Sequence, residues 1–333
     1  MFNIGYVGAY DLRPVASVNA NPSAPGAGTA GGVLSQKYGA NYTGGIGELL
    51  PLKDSRYDAL QTSLKYRFAG GSNVSAVYTW SRAMSYADEQ DLGAMFISYA
   101  PDYFKDYGPA AFDRTNNFEI SSVAASPFGR GEPWLKSGIG GQILGGWLID
   151  PVISVMSGLP FTVTGNNSSL NSNGSNQTAD LVAPFKLLHG KPPRVGVTCA
   201  TGNPKCSYFD PNSFAQPLIT SAANAHFGNT NRDEFRGPGY FDMDLSLVRD
   251  FKLREFATLE VRGDAMGLTN TPHFANPNLS CAGSGTAPGP VGTSGGLCGE
   301  NNFGVITGFV EPGGFFGQEP GNRSIYVGAE VKF

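Results

Sequence analysis

An alternation of apolar and polar side chains, with a period of two residues, recurs along the whole chain and restricts it to extended structure. At the C-terminus Ile325, Val327, Ala329, Val331 and Phe333 alternate with Ser324, Tyr326, Gly328, Glu330 and Lys332. Ala257, Leu259, Val261 and Ala265 alternate with Thr258, Glu260, Arg262 and Asp264, and Phe241, Met243, Leu245 and Leu247 with Asp242, Asp244 and Ser246. Upstream, Leu60, Leu64, Tyr66 and Phe68 oppose Gln61, Ser63, Lys65 and Arg67, and Val74, Ala76, Tyr78 and Trp80 oppose Asn73, Ser75, Thr79 and Ser81. Weaker versions run over 114–126, 139–157 and 2–10. Successive side chains of a strand point to opposite faces, so this period predicts an all-β, antiparallel fold of about eight strands.

A strand with one apolar and one polar face suits two architectures. In a soluble sandwich the apolar faces meet in a core, whereas in an outer-membrane barrel they meet lipid and the polar faces line a lumen. Pattern alone does not separate them, and the soluble sandwich is the commoner case. Charged residues are 15% of the chain, against roughly 25% in soluble domains. Spanning helices are excluded, because the most apolar segment, Ile143 to Met156, is broken by Gly145, Gly146, Asp150 and Pro151.

Connection lengths favour the barrel. Short connections (Ala69–Ser72, Pro127–Gly138, Lys252–Glu255) alternate with long ones (85–113, 158–238, 270–321). Soluble domains seldom carry unstructured loops beyond about 15 residues, while transmembrane barrels combine short periplasmic turns with long extracellular loops. With Phe333 at a periplasmic end, strands 322–333, 239–251, 114–126 and 57–68 run inward, and 256–268, 139–157, 73–84 and 2–10 run outward. Every short connection then falls on the periplasmic side. Thr43–Leu50 has no place as a full crossing and is expected to extend a hairpin outside the membrane. Phe68, Phe251, Phe256 and Phe333 fall on one rim, as an aromatic girdle would.

The facing follows from solvation. Lys65, Arg67, Asp242, Asp244, Glu260, Arg262 and Asp264 are expected to line the lumen, with Arg249 and Arg262 offsetting the acids. A paired-carboxylate enzyme is the weaker reading of these residues, since nothing gathers them around a cleft. His189, His226 and His273 are far apart without HxxxH or HExxH spacing, and no GxSxG elbow, phosphate loop or dinucleotide fingerprint occurs. No catalytic residue, metal or cofactor is therefore expected, and His273 is assigned to turn or loop packing. Cys199 and Cys206, and Cys281 and Cys298, form two sequence-near pairs in polar stretches, where disulfides would order loops. Their connectivity stays open among three possibilities. Asn166–Thr178 is expected to be mobile and solvated, and Phe309–Gly317 to fold inward or pack on other loops. The net charge of -4 offers no basic face for nucleic acid.

The final residues resemble the β-signal of outer-membrane proteins, with Tyr326, Gly328, Val331 and a terminal Phe333. The resemblance implies recognition by the barrel-assembly machinery through strand addition. More of the chain resembles TonB-dependent-receptor-like proteins related to the Oar adhesion and transport proteins, of the acidobacterial type. The carrying segments are Ser55–Gln61, Tyr78–Met84, Ser157–Val163, Arg236–Tyr240, Asp244–Leu247, Leu268–Pro277 and Phe303–Thr307. Such receptors have an N-terminal carboxypeptidase-regulatory-like sandwich, a TonB box, a plug and a 22-stranded barrel. None of the N-terminal parts lies here, and Met1 is followed by Phe-Asn-Ile-Gly-Tyr rather than a signal peptide. Residues 1–333 are thus expected to be the C-terminal part of such a barrel in the outer membrane of a Gram-negative bacterium. The resemblance implies import of an unknown nutrient, with the TonB complex engaged through the N-terminal region and outer-membrane lipid around the wall. A barrel for adhesion or structure without transport, or a secreted β-sandwich binding protein, are the alternatives.

Overall fold

Eight long strands of the computed structural model overlap the eight alternating segments. They are β1 (Phe2–Asp11), β2 (Ser55–Arg67), β3 (Asn73–Ser85), β4 (Asn116–Ala125), β5 (Trp147–Met156), β6 (Tyr240–Arg254), β7 (Ala257–Met266) and β8 (Ser324–Lys332). The structure describes residues 1–52, 54–68, 71–87, 95–167, 172, 175–190, 205–217, 222–281, 295–298, 302–310 and 323–333. The strands form one antiparallel meander in chain order, with the two-residue strand Gly108–Pro109 added at the end of β3. The sheet ends at β1 on one side and β8 on the other, and these two are not joined.

Register decides which side chains share a face, because directly opposed residues project the same way. Leu60 opposes Tyr6 and Trp80, Tyr78 opposes Phe118, and Ile120 opposes Ile153. Met243 opposes Ile153, Leu245 opposes Ala265, and Val261 opposes Ala329. Followed from β1 to β8, the apolar members of all eight strands therefore fall on one continuous face. A one-residue slip anywhere would have broken it.

Two expectations need correction. Residues 139–146 are not part of a strand, since β5 begins at Trp147 and Gly138–Leu144 is a short α-helix. The apolar residues there, Ile139 and Ile143, are four apart, which is a helical spacing, and the glycines between them carry no alternation. The connection preceding β5 is consequently not the short turn Pro127–Gly138 but a folded excursion over 126–146. By contrast, Gly47–Pro51 pairs with Val15–Asn19 and continues the β1–β2 hairpin beyond the sheet.

The buried apolar side chains lie mostly outside the sheet. Phe161, Val163, Phe209, Phe214, Phe235, Phe303 and Ile306 make one core from the segments 158–238 and 270–310. Short antiparallel pairs, Pro160–Phe161 with Phe235–Arg236 and Asp180–Leu181 with Phe214–Gln216, give it a frame. A smaller cluster of Ala16, Val18, Leu52 and Met95 lies beneath the hairpin extension. Complete burial of such a side chain stabilises by about 1.5–3 kcal/mol relative to leaving it in water, so this head carries its own stabilisation.

Candidate functional site

The sheet of eight long strands forms a wall with one polar and one apolar face. Its polar face holds all the residues read as lumen-facing. Lys65 and Arg67 oppose Ser75 and Asn73, Asp242 opposes Ser154, and Asp244 opposes Val152. Asp264 accepts from Ser246 at 2.5 Å and pairs with Arg262 at 2.8 Å. Glu260 pairs with Lys332 on the adjacent strand, and Asp244 accepts from the Gly267 amide at 2.8 Å. Arg249 is the exception. It opposes Trp147 and Val261, on the apolar face, and so cannot offset the acids beside Arg262. Its guanidinium lies 4.5 Å from the Phe251 ring centroid and 5.8 Å from that of Trp147, and donates to the Ile143 carbonyl at 3.0 Å.

Charge on the apolar face is confined to the two rims. Arg249 stands at the turn end of β6, while Arg56, Asp58 and Arg82 stand at the far ends of β2 and β3. There Arg56 pairs with Asp58 at 2.5 Å, and Tyr6 donates to the same carboxylate at 2.5 Å. Between Asp58 and Phe68 the strand takes steps of about 3.3 Å per residue; tilted roughly 40°, it covers about 25 Å along the membrane normal, the height of an outer-membrane apolar band.

Above the wall, several of the segments that carry the resemblance meet. Arg236 pairs with the buried Asp113 and donates to the Asp113 carbonyl at 2.8 Å, while Asp113 accepts from the Ala83 amide at 2.7 Å. Arg232, 4% exposed at its side chain, pairs with Asp233 at 2.9 Å and donates to the Asp106 carbonyl at 2.8 Å and to Ser85. Asn276 donates to the Pro160 carbonyl at 3.0 Å. A Cβ on Gly158 would lie 1.9 Å from the Gly237 carbonyl oxygen, so this close approach of two backbones requires glycine, while one on Gly237 would displace the Asn276 side-chain amide. Ser157–Val163, Arg236–Tyr240 and Leu268–Pro277 thus form a collar that ties the loop roots to the strand ends. The sequence singled out these segments only by resemblance. It missed Arg232, Asp106 and Asp113, which lie in aperiodic stretches; their one signal is that each adjoins another charge (Asp233, Lys105 and Arg114) in a chain with few charges.

The remaining candidates are dispersed. Cys281 and Cys298 are joined by a disulfide inside the head core. Cys206 is also disulfide-bonded, and Cys199 lies outside the described residues. His273 is buried, its ring 4.1 Å from that of Tyr240 and its Nε2 3.2 Å from the Phe241 carbonyl oxygen. His226 Nε2 lies 3.2 Å from Asp180 Oδ2, and His189 packs edge-on against Tyr208. Among the described residues no group of histidines, cysteines and acids could hold a metal. Burial pushes the Tyr208 phenol up, and it donates to the Arg236 carbonyl at 3.3 Å.

Asn166–Thr178 departs from the expected solvated loop at its described ends. Gln177 and Thr178 are fully buried. Asn166 donates its amide to Gln216 Oε1 at 2.9 Å, and Thr178 donates to the Thr230 carbonyl at 2.8 Å. Residues 168–171, 173 and 174 lie outside the described set, as do 311–322. Phe309 stacks on Phe274 with centroids 5.8 Å apart. At the far ends of β1–β3 an open cleft of about 660 Å³ is lined in part by Tyr10, Arg13, Arg56, Tyr57, Tyr86 and Phe112. Asp11 also lines it and Arg56 is already paired with Asp58, so its four aromatic rings suit an apolar or cyclic body better than its guanidiniums suit an anion.

The terminal strand β8 pairs along its length with β7, setting Tyr326 and Gly328 on the polar face and Val331 on the apolar one. Phe333 follows the strand and is almost wholly exposed. No curated protein matches the chain. The family model of an outer membrane beta barrel domain matches residues 1–320. With an apolar sheet face, a polar opposite face and a head built from long loops, the chain belongs to that outer membrane beta barrel family, and its place is the outer membrane of a Gram-negative bacterium.

Proposed function

We propose that the chain is wall and ligand-capturing head of a TonB-dependent importer. The observation that carries this reading is the open arc: eight strands in sequence, ending at β1 and β8 without joining. A closed barrel of eight strands has an interior filled by side chains. Here that interior would have to enclose Lys65, Arg67, Asp244, Glu260, Arg262 and Asp264 together. A wide barrel with a plugged, wet lumen solvates them. In this reading further strands complete the ring, and a plug and TonB box come from sequence outside residues 1–333. The cleft at the far ends of β1–β3, with its four aromatic rings, receives the nutrient, and the lumen passes it inward once the plug yields. No catalytic step is assigned to the chain.

Crosslinking in living cells tests this. The complete protein, as its gene encodes it, should be captured covalently by TonB. No capture, in cells where another receptor's TonB complex forms normally, would leave the adhesion or structural barrel as the better account.

A further inference from the structure

The turn-side rim is uneven. The Phe68 amide donates to the Ser72 carbonyl across one turn and only 255–256 separate β6 from β7, whereas 126–146 fold into an element of their own. It is close-packed. A Cβ on Gly141 would lie 2.1 Å from the Leu135 carbonyl oxygen, and one on Gly145 would lie 2.5 Å from that of Gly141. Ser126 donates to the Leu144 carbonyl at 2.6 Å, the Trp134 amide to the Pro127 carbonyl at 3.1 Å, and the Gly129 amide to the Trp134 carbonyl at 3.1 Å.

Its outer surface is apolar nonetheless. Ile139 is 75% exposed, Ile143 61%, Trp134 60% and Leu135 48%. The element leans toward the lipid side of the wall, because Trp147 and Arg249, both on the apolar face, donate to the Ile143 carbonyl at 2.8 and 3.0 Å. Between it and β6 opens a cleft of about 610 Å³ lined by Arg130, Lys136, Arg249 and a single acid, Glu132.

We propose that residues 126–146 form an interfacial foot that seats the headgroup phosphate of a periplasmic-leaflet phospholipid in the cleft between Arg130, Lys136 and Arg249. Trp134, Leu135, Ile139 and Ile143 then sit at the acyl boundary. Three cations against one carboxylate match a phosphodiester, and guanidiniums grip such oxygens with paired hydrogen bonds. Apolar and aromatic residues beside basic ones are the pattern of elements that lie in a bilayer interface. Arg249, stacked on two rings at the rim, places its charge at headgroup depth while its stem stays apolar. The site stands on the membrane placement of the wall and is independent of whether the barrel imports anything.

The complete protein, assembled in outer membranes and extracted in mild detergent, would be labelled with a phosphatidylglycerol bearing a photoreactive group near its headgroup. Labelled peptides should concentrate in 126–146, and R130E/K136E should lower that labelling about tenfold. I139S/I143S should lower it as well, with assembly judged by heat-modifiable migration. Equal labelling of 68–72 and 255–256 in the unaltered protein would overturn the site in favour of a general lipid annulus. Displacement of the label by inorganic phosphate alone would also overturn it, since the cleft would then be a site for soluble anions.

Discussion

On β7 and β8 the opposed pairs Leu259 with Val331 and Val261 with Ala329 are half-buried on β7 and exposed on β8, whereas in the head Phe161, Phe209, Phe214 and Phe303 are closed off from solvent. Both regions are made of extended segments and use the same kinds of apolar side chain. In the head, irregular loops wrap around their aromatics and cover them with protein. In the wall a regular ladder presents its apolar residues in one plane, where only lipid can cover them. The head can therefore hold its shape by ordinary burial, and the wall cannot do so in water.

The sharpest break in that contrast comes from the head. Phe209→Ala removes a ring packed against Phe161, Phe185, Phe214 and Phe303, and should cost about 3–5 kcal/mol locally. Proteolysis of whole cells should then cut the segments 158–238 and 270–321 while the barrel still assembles. Loss of the barrel as well would show that head and wall fold as one unit.

Val261→Arg probes the other side. An arginine on the lipid face costs about 2–4 kcal/mol near the midplane, so the outer-membrane fraction and heat-modifiable band should fall sharply. Asn276→Ala addresses the junction between the regions. It strands the Pro160 carbonyl and should cost about 1–3 kcal/mol, read as faster proteolysis at the loop roots with the strands intact. Glu260→Gln, one residue from Val261 but on the polar face, weakens a pair with the exposed Lys332 that water screens. Assembly should be almost unchanged. Equal effects of Val261→Arg and Glu260→Gln would show that the two faces are misassigned.

The wall was legible because a strand with one apolar face repeats one rule every two residues, and eight repetitions marked both the strands and which side chains share a sheet face. Reading failed where that rule lapsed. Ile139 and Ile143 fit a strand and a helix about equally, and the glycines around them, needed for close packing, silenced the pattern. Arg249 looked like a partner for the acids because its type was read before its parity. The collar left still less trace, since Arg232, Asp106 and Asp113 act through backbone carbonyls and amides brought together from two connections, 85–113 and 158–238. No local spacing encodes such an arrangement.

The collar grips the loops where they leave the strands, and this separates support from recognition. Side chains farther out along 158–238 and 270–321 can be exchanged with Arg236, Asp113 and Asn276 still fastened. A lineage of such proteins can therefore change what its outer surface meets while inheriting the same mount, much as different tools fit one handle.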